Sequence, residues 1–147
     1  MALAELKGPV VLEIPADPAS LFVVRAVVAK LSEKTGFKAK ETDMLVLAID
    51  EACTNVIRHA YNNSFDGRIV LTFKVTSKCL EIHVRDFGKV TDPATFQSRK
   101  LDDIRPGGLG IHFMKSAVDM VDYDTPPGGG TLLKMVKFRP EEEVEQN

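Results

Sequence analysis

Glu51 and Asn55 stand four residues apart in the run Glu51-Ala52-Cys53-Thr54-Asn55, and at about 100° per residue a helix presents both on one side. Carboxylate and amide oxygens are hard ligands suited to Mg2+, which is held through one or two protein oxygens together with nucleotide phosphates. The pair can also divide the work, with Asn55 on the metal and Glu51 accepting a proton. Taken alone, the same spacing is what a solvated helix face carries. Asp86 is the second candidate, followed by Phe87 and Gly88. A carboxylate there can accept from an exocyclic amine, and the glycine lets a ligand approach the backbone. An ordinary turn uses the same residues. Gly107, Gly108 and Gly110 precede and open an apolar stretch starting at Leu109, where free N–H groups and a helix dipole favour phosphate. Arg105 adds a direct phosphate contact, although a lid hinge or a plain helix start would carry the same glycines.

The periodicity of the chain predicts the elements that must hold these groups. Val10, Leu12 and Ile14 alternate with Val11 and Glu13 as a short strand closed by Pro15. Asp17 before Pro18 is a helix N-cap with proline at the first helical position. Leu21, Val24, Val28 and Leu31 then recur at helical spacing up to Gly36. A second helix is expected from Thr42 to about Tyr61, with Leu45, Ile49, Ala52, Val56 and Ala60 as its apolar stripe, ended by Asn62 and Asn63. Arg68 to Thr76 and Cys79 to Arg85 read as a hairpin joined through Ser77 and Lys78. Asp86 to Gly108 has little periodicity and is too long for an ordinary connection, which marks a functional lid or a disordered segment. Helical spacing returns from Leu109 to Val118. Val121 to Asp124 reads as a short strand, and Thr131 to Phe138 as a final strand after the turn Pro126 to Gly130.

Composition narrows the classes. A chain of 147 residues, 44% hydrophobic and 27% charged, suits one domain, which buries roughly 70% of its unfolded surface. We therefore expect a single domain over residues 1–140 and an acidic, disordered tail over 141–147. The net charge of -2, from 19 basic and 21 acidic residues, gives no electrostatic reason to bind nucleic acid directly. Cys53 and Cys79 form no C-x-x-C pair and are too few for a disulfide scaffold, which fits a reducing cytoplasm. No apolar run is long enough for a membrane span, and Glu5 and Lys7 interrupt the core a signal peptide needs. Asp86-Phe87-Gly88 spells the D-F-G of protein kinases, but no H-R-D-x-x-x-x-N segment accompanies it. His59, His83 and His112 lack zinc-ligand spacing, and no G-x-S-x-G anchors a serine nucleophile.

The order of the motifs is more specific than any one of them. Glu51 to Tyr61 on a helix is followed by Asp86-Phe87-Gly88, then Arg105-Pro106-Gly107-Gly108-Leu109-Gly110, then Gly130-Thr131 on a closing strand. This order resembles the ATP-binding fold shared by gyrase, heat-shock chaperone, histidine kinase and mismatch-repair ATPases. It is most similar to the anti-sigma-factor serine kinase branch, over nearly the whole chain to Phe138. Many relatives carry a second glycine two residues after Gly88, where this chain has Val90.

The resemblance implies an α/β two-layer sandwich, with a mixed β-sheet covered on one face by helices. It implies that Asn55 coordinates Mg2+ and that Glu51 is the general base. Asp86 would hold the adenine amino group beside Gly88, and Thr131 would support the adenine end. Gly108 and Gly110 would shape a lid over the phosphates, with Arg105 near the γ-phosphate. The implied activity is ATP-dependent phosphorylation of a serine or threonine on a small anti-sigma-factor antagonist, the other client being a sigma factor held inactive. A homodimer is implied too. The alternative is a nucleotide-binding regulatory module without efficient phosphotransfer.

Overall fold

The computed structural model describes residues 2–62, 66–88 and 114–140. Strand β1 is Val10–Pro15. Asp17 caps the next segment by accepting from the Ala19 amide at 2.9 Å, and Pro18–Ser20 forms one tight 3-10 turn before helix α1, Leu21–Thr35. Gly36 ends α1 at φ 99°, in the left-handed region that glycine enters without a Cβ penalty.

Helix α2 is Ala39–Asn55, three residues earlier at its start than the periodicity predicts. Glu41 reaches back to accept from the Lys38 amide at 3.2 Å, which caps the added turn from within. Beyond Asn55 the helix continues as one π-helical turn, Val56–Ala60, sealed by the Tyr61 amide donating to the Val56 carbonyl at 3.2 Å. Strands β2 (Arg68–Val75) and β3 (Cys79–Asp86) form the expected hairpin. Residues 114–117 are helical, and β4 (Met120–Asp124) and β5 (Leu132–Phe138) complete the chain of elements.

The sheet order is β1-β2-β3-β5-β4, and every described pairing is antiparallel. The two-layer sandwich stands, whereas the expectation of a mixed sheet is corrected. Two helices separate β1 from β2 in the chain, and β2 returns beside β1 in the opposite sense. Ile69, Leu71 and Phe73 of β2, Ile82 and Val84 of β3 and Met135 of β5 are buried on one face. They join Val24 and Val28 of α1 and Leu45, Ile49 and Cys53 of α2 in one core. Each large apolar side chain so buried contributes about 1.5–3 kcal/mol. The other face carries Glu13, Lys74, Glu81 and His83, none of them fully buried. Among the described residues no helix is long and apolar enough to cross a membrane.

Candidate active site

The helical wall of the site is the end of α2. Glu51 and Asn55 are both half-buried there, one α-turn apart, and Asn55 is the last α-helical residue before the π turn. Such insertions shift the register of all that follows by one residue and concentrate at functional sites. Asn55 Oδ1 is buried from solvent and has no hydrogen-bond partner among the described residues. An orphaned buried acceptor costs about 1–3 kcal/mol, and a hard amide oxygen left free in this way fits a ligand for a hard cation. Between the two, Cys53 is buried, and its thiol is pushed up to about 12 by burial, with the Asp50 charge adding to the effect. It is core filling, with no thiolate to offer at neutral pH.

The strand wall is built the opposite way, with its polar groups paired. Asp86, the last residue of β3, is fully buried. One carboxylate oxygen accepts from the Gly88 amide at 3.0 Å and the other from the Thr131 hydroxyl. The Asp86 amide donates to the Thr131 carbonyl at 3.0 Å, which ties β3 to the start of β5. Arg85 reaches under the Gly128 to Gly130 turn and donates to the carbonyls of Asp86, Gly129 (2.8 Å) and Thr131. Gly130 sits at φ 71°, and a Cβ there would fall on the Asp86 carbonyl oxygen. Glycine is the residue that lets these two backbones touch. The carboxylate thus keeps a fixed plane while each oxygen retains a further acceptor site, the arrangement needed to recognise a flat donor such as an exocyclic amine.

The two walls meet at a third point. A Cβ on Gly88 would fall on the Ala60 carbonyl at the end of the π turn, so the backbone after Asp86 lies directly against the chain that follows Asn55. The structure therefore brings Asp86, Gly88 and Thr131 together and sets Gly88 against the end of the helical segment that carries Glu51 and Asn55. Arg105, Gly108 and Gly110 lie outside the described residues, as does most of the expected helix from Leu109. Arg85 has no place in the motif reading, and Tyr61 and Gly130 stand in it only as the ends of a helix and a turn, with no part in the site. Their signals are a cation beside Asp86, an aromatic residue closing the helix, and the last glycine before Thr131.

Residues 14–137 match the model of the histidine kinase-like ATPase domain. The chain belongs to this family. The match runs from β1 to β5, so both walls lie within the ATPase domain. Serine-protein kinase RsbW of Bacillus velezensis is 30% identical over 143 residues, covering 91% of this chain and 88% of that protein. Among solved structures, the RsbU and RsbW domains of a Mycobacterium tuberculosis protein superpose with a TM-score of 0.64 at 19% identity over 91% of this chain. The histidine kinase domain of a blue-light activated histidine kinase from Erythrobacter litoralis gives 0.54 at 20% over 93%. This chain spans 34% and 64% of those two chains, respectively, and at such identities the likeness concerns the ATPase fold alone.

Proposed function

We propose that the chain is an ATP-dependent protein serine/threonine kinase that acts as an anti-sigma factor, phosphorylating a small antagonist protein and binding a sigma factor in a partner-switching system. The observation that carries this reading is a paired, buried carboxylate at Asp86 in one site with an unpaired, buried amide oxygen at Asn55, in a chain 30% identical to a serine-protein kinase. Asp86 accepts from the adenine amine, with Thr131 and Gly88 fixing its plane. Asn55 is the protein ligand for Mg2+, which when bound neutralises charge on the phosphates. Glu51, one turn before Asn55, takes the proton of the acceptor hydroxyl as its oxygen bonds to the γ-phosphorus. The bond from that phosphorus to the bridging oxygen breaks, and ADP leaves. Arg105 contacts the γ-phosphate, and Gly108 and Gly110 shape the lid. The working form is a cytoplasmic homodimer.

The test is incubation of the protein with γ-labelled ATP, Mg2+ and a lysate of cells that express it. A kinase labels one discrete small protein on serine or threonine. Release of free phosphate alone would make the chain an ATPase without a protein acceptor. Calorimetric binding of Mg-ATP with neither product would make it a nucleotide-regulated binding module.

A further inference from the structure

Tyr61 joins the two walls of the site. Its ring lies over Gly67, where a Cβ would collide with three ring carbons. Its hydroxyl donates to the Arg68 carbonyl at 2.6 Å and accepts from the Phe87 amide at 2.8 Å. Its own amide closes the π turn that follows Asn55. One side chain thus spans the end of the helix that carries Asn55, the first residue of β2, and the residue immediately after Asp86. The segment it holds is short and tightly placed. Gly88 lies against Ala60 and donates to Asp86 Oδ1 at 3.0 Å, so any movement of Phe87 is passed to the carboxylate. The Phe87 ring is held from outside by the guanidinium groups of Arg68 and Arg85, each 4.3 Å from its centre. The hydroxyl pins the backbone of the residue whose ring those cations grip.

We infer that Tyr61 is a positioning residue for base recognition: its hydroxyl holds Phe87 and Gly88 so that Asp86 presents its acceptor to the exocyclic amine of the nucleotide. This rests on the reading of Asp86 as the adenine acceptor. Tyr61 touches no reacting atom, and its contribution is confined to the part of affinity that depends on the amine.

The experiment compares Mg-ATP with purine riboside triphosphate, which lacks the exocyclic amine, by calorimetry on the full chain, with thermal denaturation alongside. In Tyr61→Phe, which keeps the ring and loses the hydroxyl, ATP should bind about five- to tenfold more weakly, the scale of one hydrogen bond. The analogue should change by less than about twofold, so the preference for ATP collapses. Gly67→Ala, which displaces the ring and leaves the hydroxyl, should reproduce that loss. An equal weakening of both nucleotides, or an unchanged preference in Tyr61→Phe, would overturn the inference and reduce Tyr61 to a structural residue. Asp86→Asn separates the two levels. If it abolishes the preference while Tyr61→Phe does not, only the positioning role fails. If Asp86→Asn keeps the preference, the adenine site itself is misplaced and the inference falls with it.

Discussion

The strand wall and the helix wall of the site solve opposite problems. Around Asp86, both carboxylate oxygens, the neighbouring amides and three carbonyls are paired within the protein. At Asn55 a buried oxygen has no hydrogen-bond partner among the described residues. In the proposed function the first region is the one that recognises a flat, neutral base, whose shape is constant through the reaction, and pairing suits it to be a rigid template. The second must accept charge that moves, and an acceptor already satisfied by protein has little left to give. In that proposal stability falls to one wall and chemistry to the other, and substitutions should separate the two.

The largest effect belongs to the helix wall. Glu51→Ala should lower phosphotransfer roughly 10^2- to 10^4-fold, the range for loss of a general base, with Mg-ATP affinity and melting temperature nearly unchanged. Single-turnover transfer and calorimetry on the same variant check it. Transfer at the wild-type rate would remove Glu51 from the chemistry and leave the helix wall without a base.

The converse substitution is in the strand wall. Gly130→Ala must place a Cβ on the Asp86 carbonyl at φ 71°. The left-handed backbone costs about 1–2 kcal/mol and the overlap about 1–3 kcal/mol, so urea denaturation should show a loss of roughly 2–5 kcal/mol. Nucleotide affinity should fall with it, because Asp86 and Thr131 are tied through that turn. A variant of normal stability would show that the turn tolerates displacement and that the template is not rigid.

Features set by local rules were legible in the sequence. Asp17 with Pro18, Gly36, the apolar stripe of Leu45, Ile49 and Ala52, and the alternation in β2 and β3 each follow from residues a few positions apart, and each was found. The motif order also identifies the ATPase family whose model residues 14–137 match. What escaped depends on distant partners. The π turn that Tyr61 closes goes with distant contacts of its hydroxyl and ring, between Arg68 and Phe87 and over Gly67, which the local sequence does not encode. The antiparallel course of the whole sheet is a property of strand pairing, which periodicity within one strand does not encode. The earlier start of α2 was open to sequence reasoning, since Glu41 lies at the reach-back position from Lys38. The lid residues Arg105, Gly108 and Gly110 lie outside the described residues.

The unpaired oxygen makes the contrast quantitative. Asn55→Ala removes a buried acceptor that has no partner among the described residues and adds a better helix former, worth about 0.5 kcal/mol at that position. Thermal denaturation without nucleotide should therefore show stability equal to the wild type or higher by about 1 kcal/mol. The dependence of ATP binding on Mg2+ should be lost in the same variant. A destabilisation of more than about 1 kcal/mol would mean that the amide is held by the protein as Asp86 is, and the contrast between the walls would disappear.

The smallest effect comes from the open face of the sheet, remote from both walls in function. Burial holds the His83 imidazole below its ordinary range, against the raising effect of Glu81 beside it and with Lys74 and Lys134 lowering it further. Nε2 is 3.0 Å from Glu81 Oε2, at ion-pair distance but outside hydrogen-bond geometry. Because the folded group is the weaker base, the unfolded chain takes up this proton first as the pH falls. Stability associated with neutral His83 is therefore complete above the ordinary histidine value of about 6.5 and declines below it, until the folded imidazole titrates as well. His83→Gln should flatten that part of a urea-denaturation profile between about pH 7 and 5, by less than about 1 kcal/mol for a half-buried pair at the surface of the sheet. ATP affinity should not change. If nucleotide binding acquired the same pH dependence, the open face would be coupled to the site, and the division of labour between the two walls would no longer be complete.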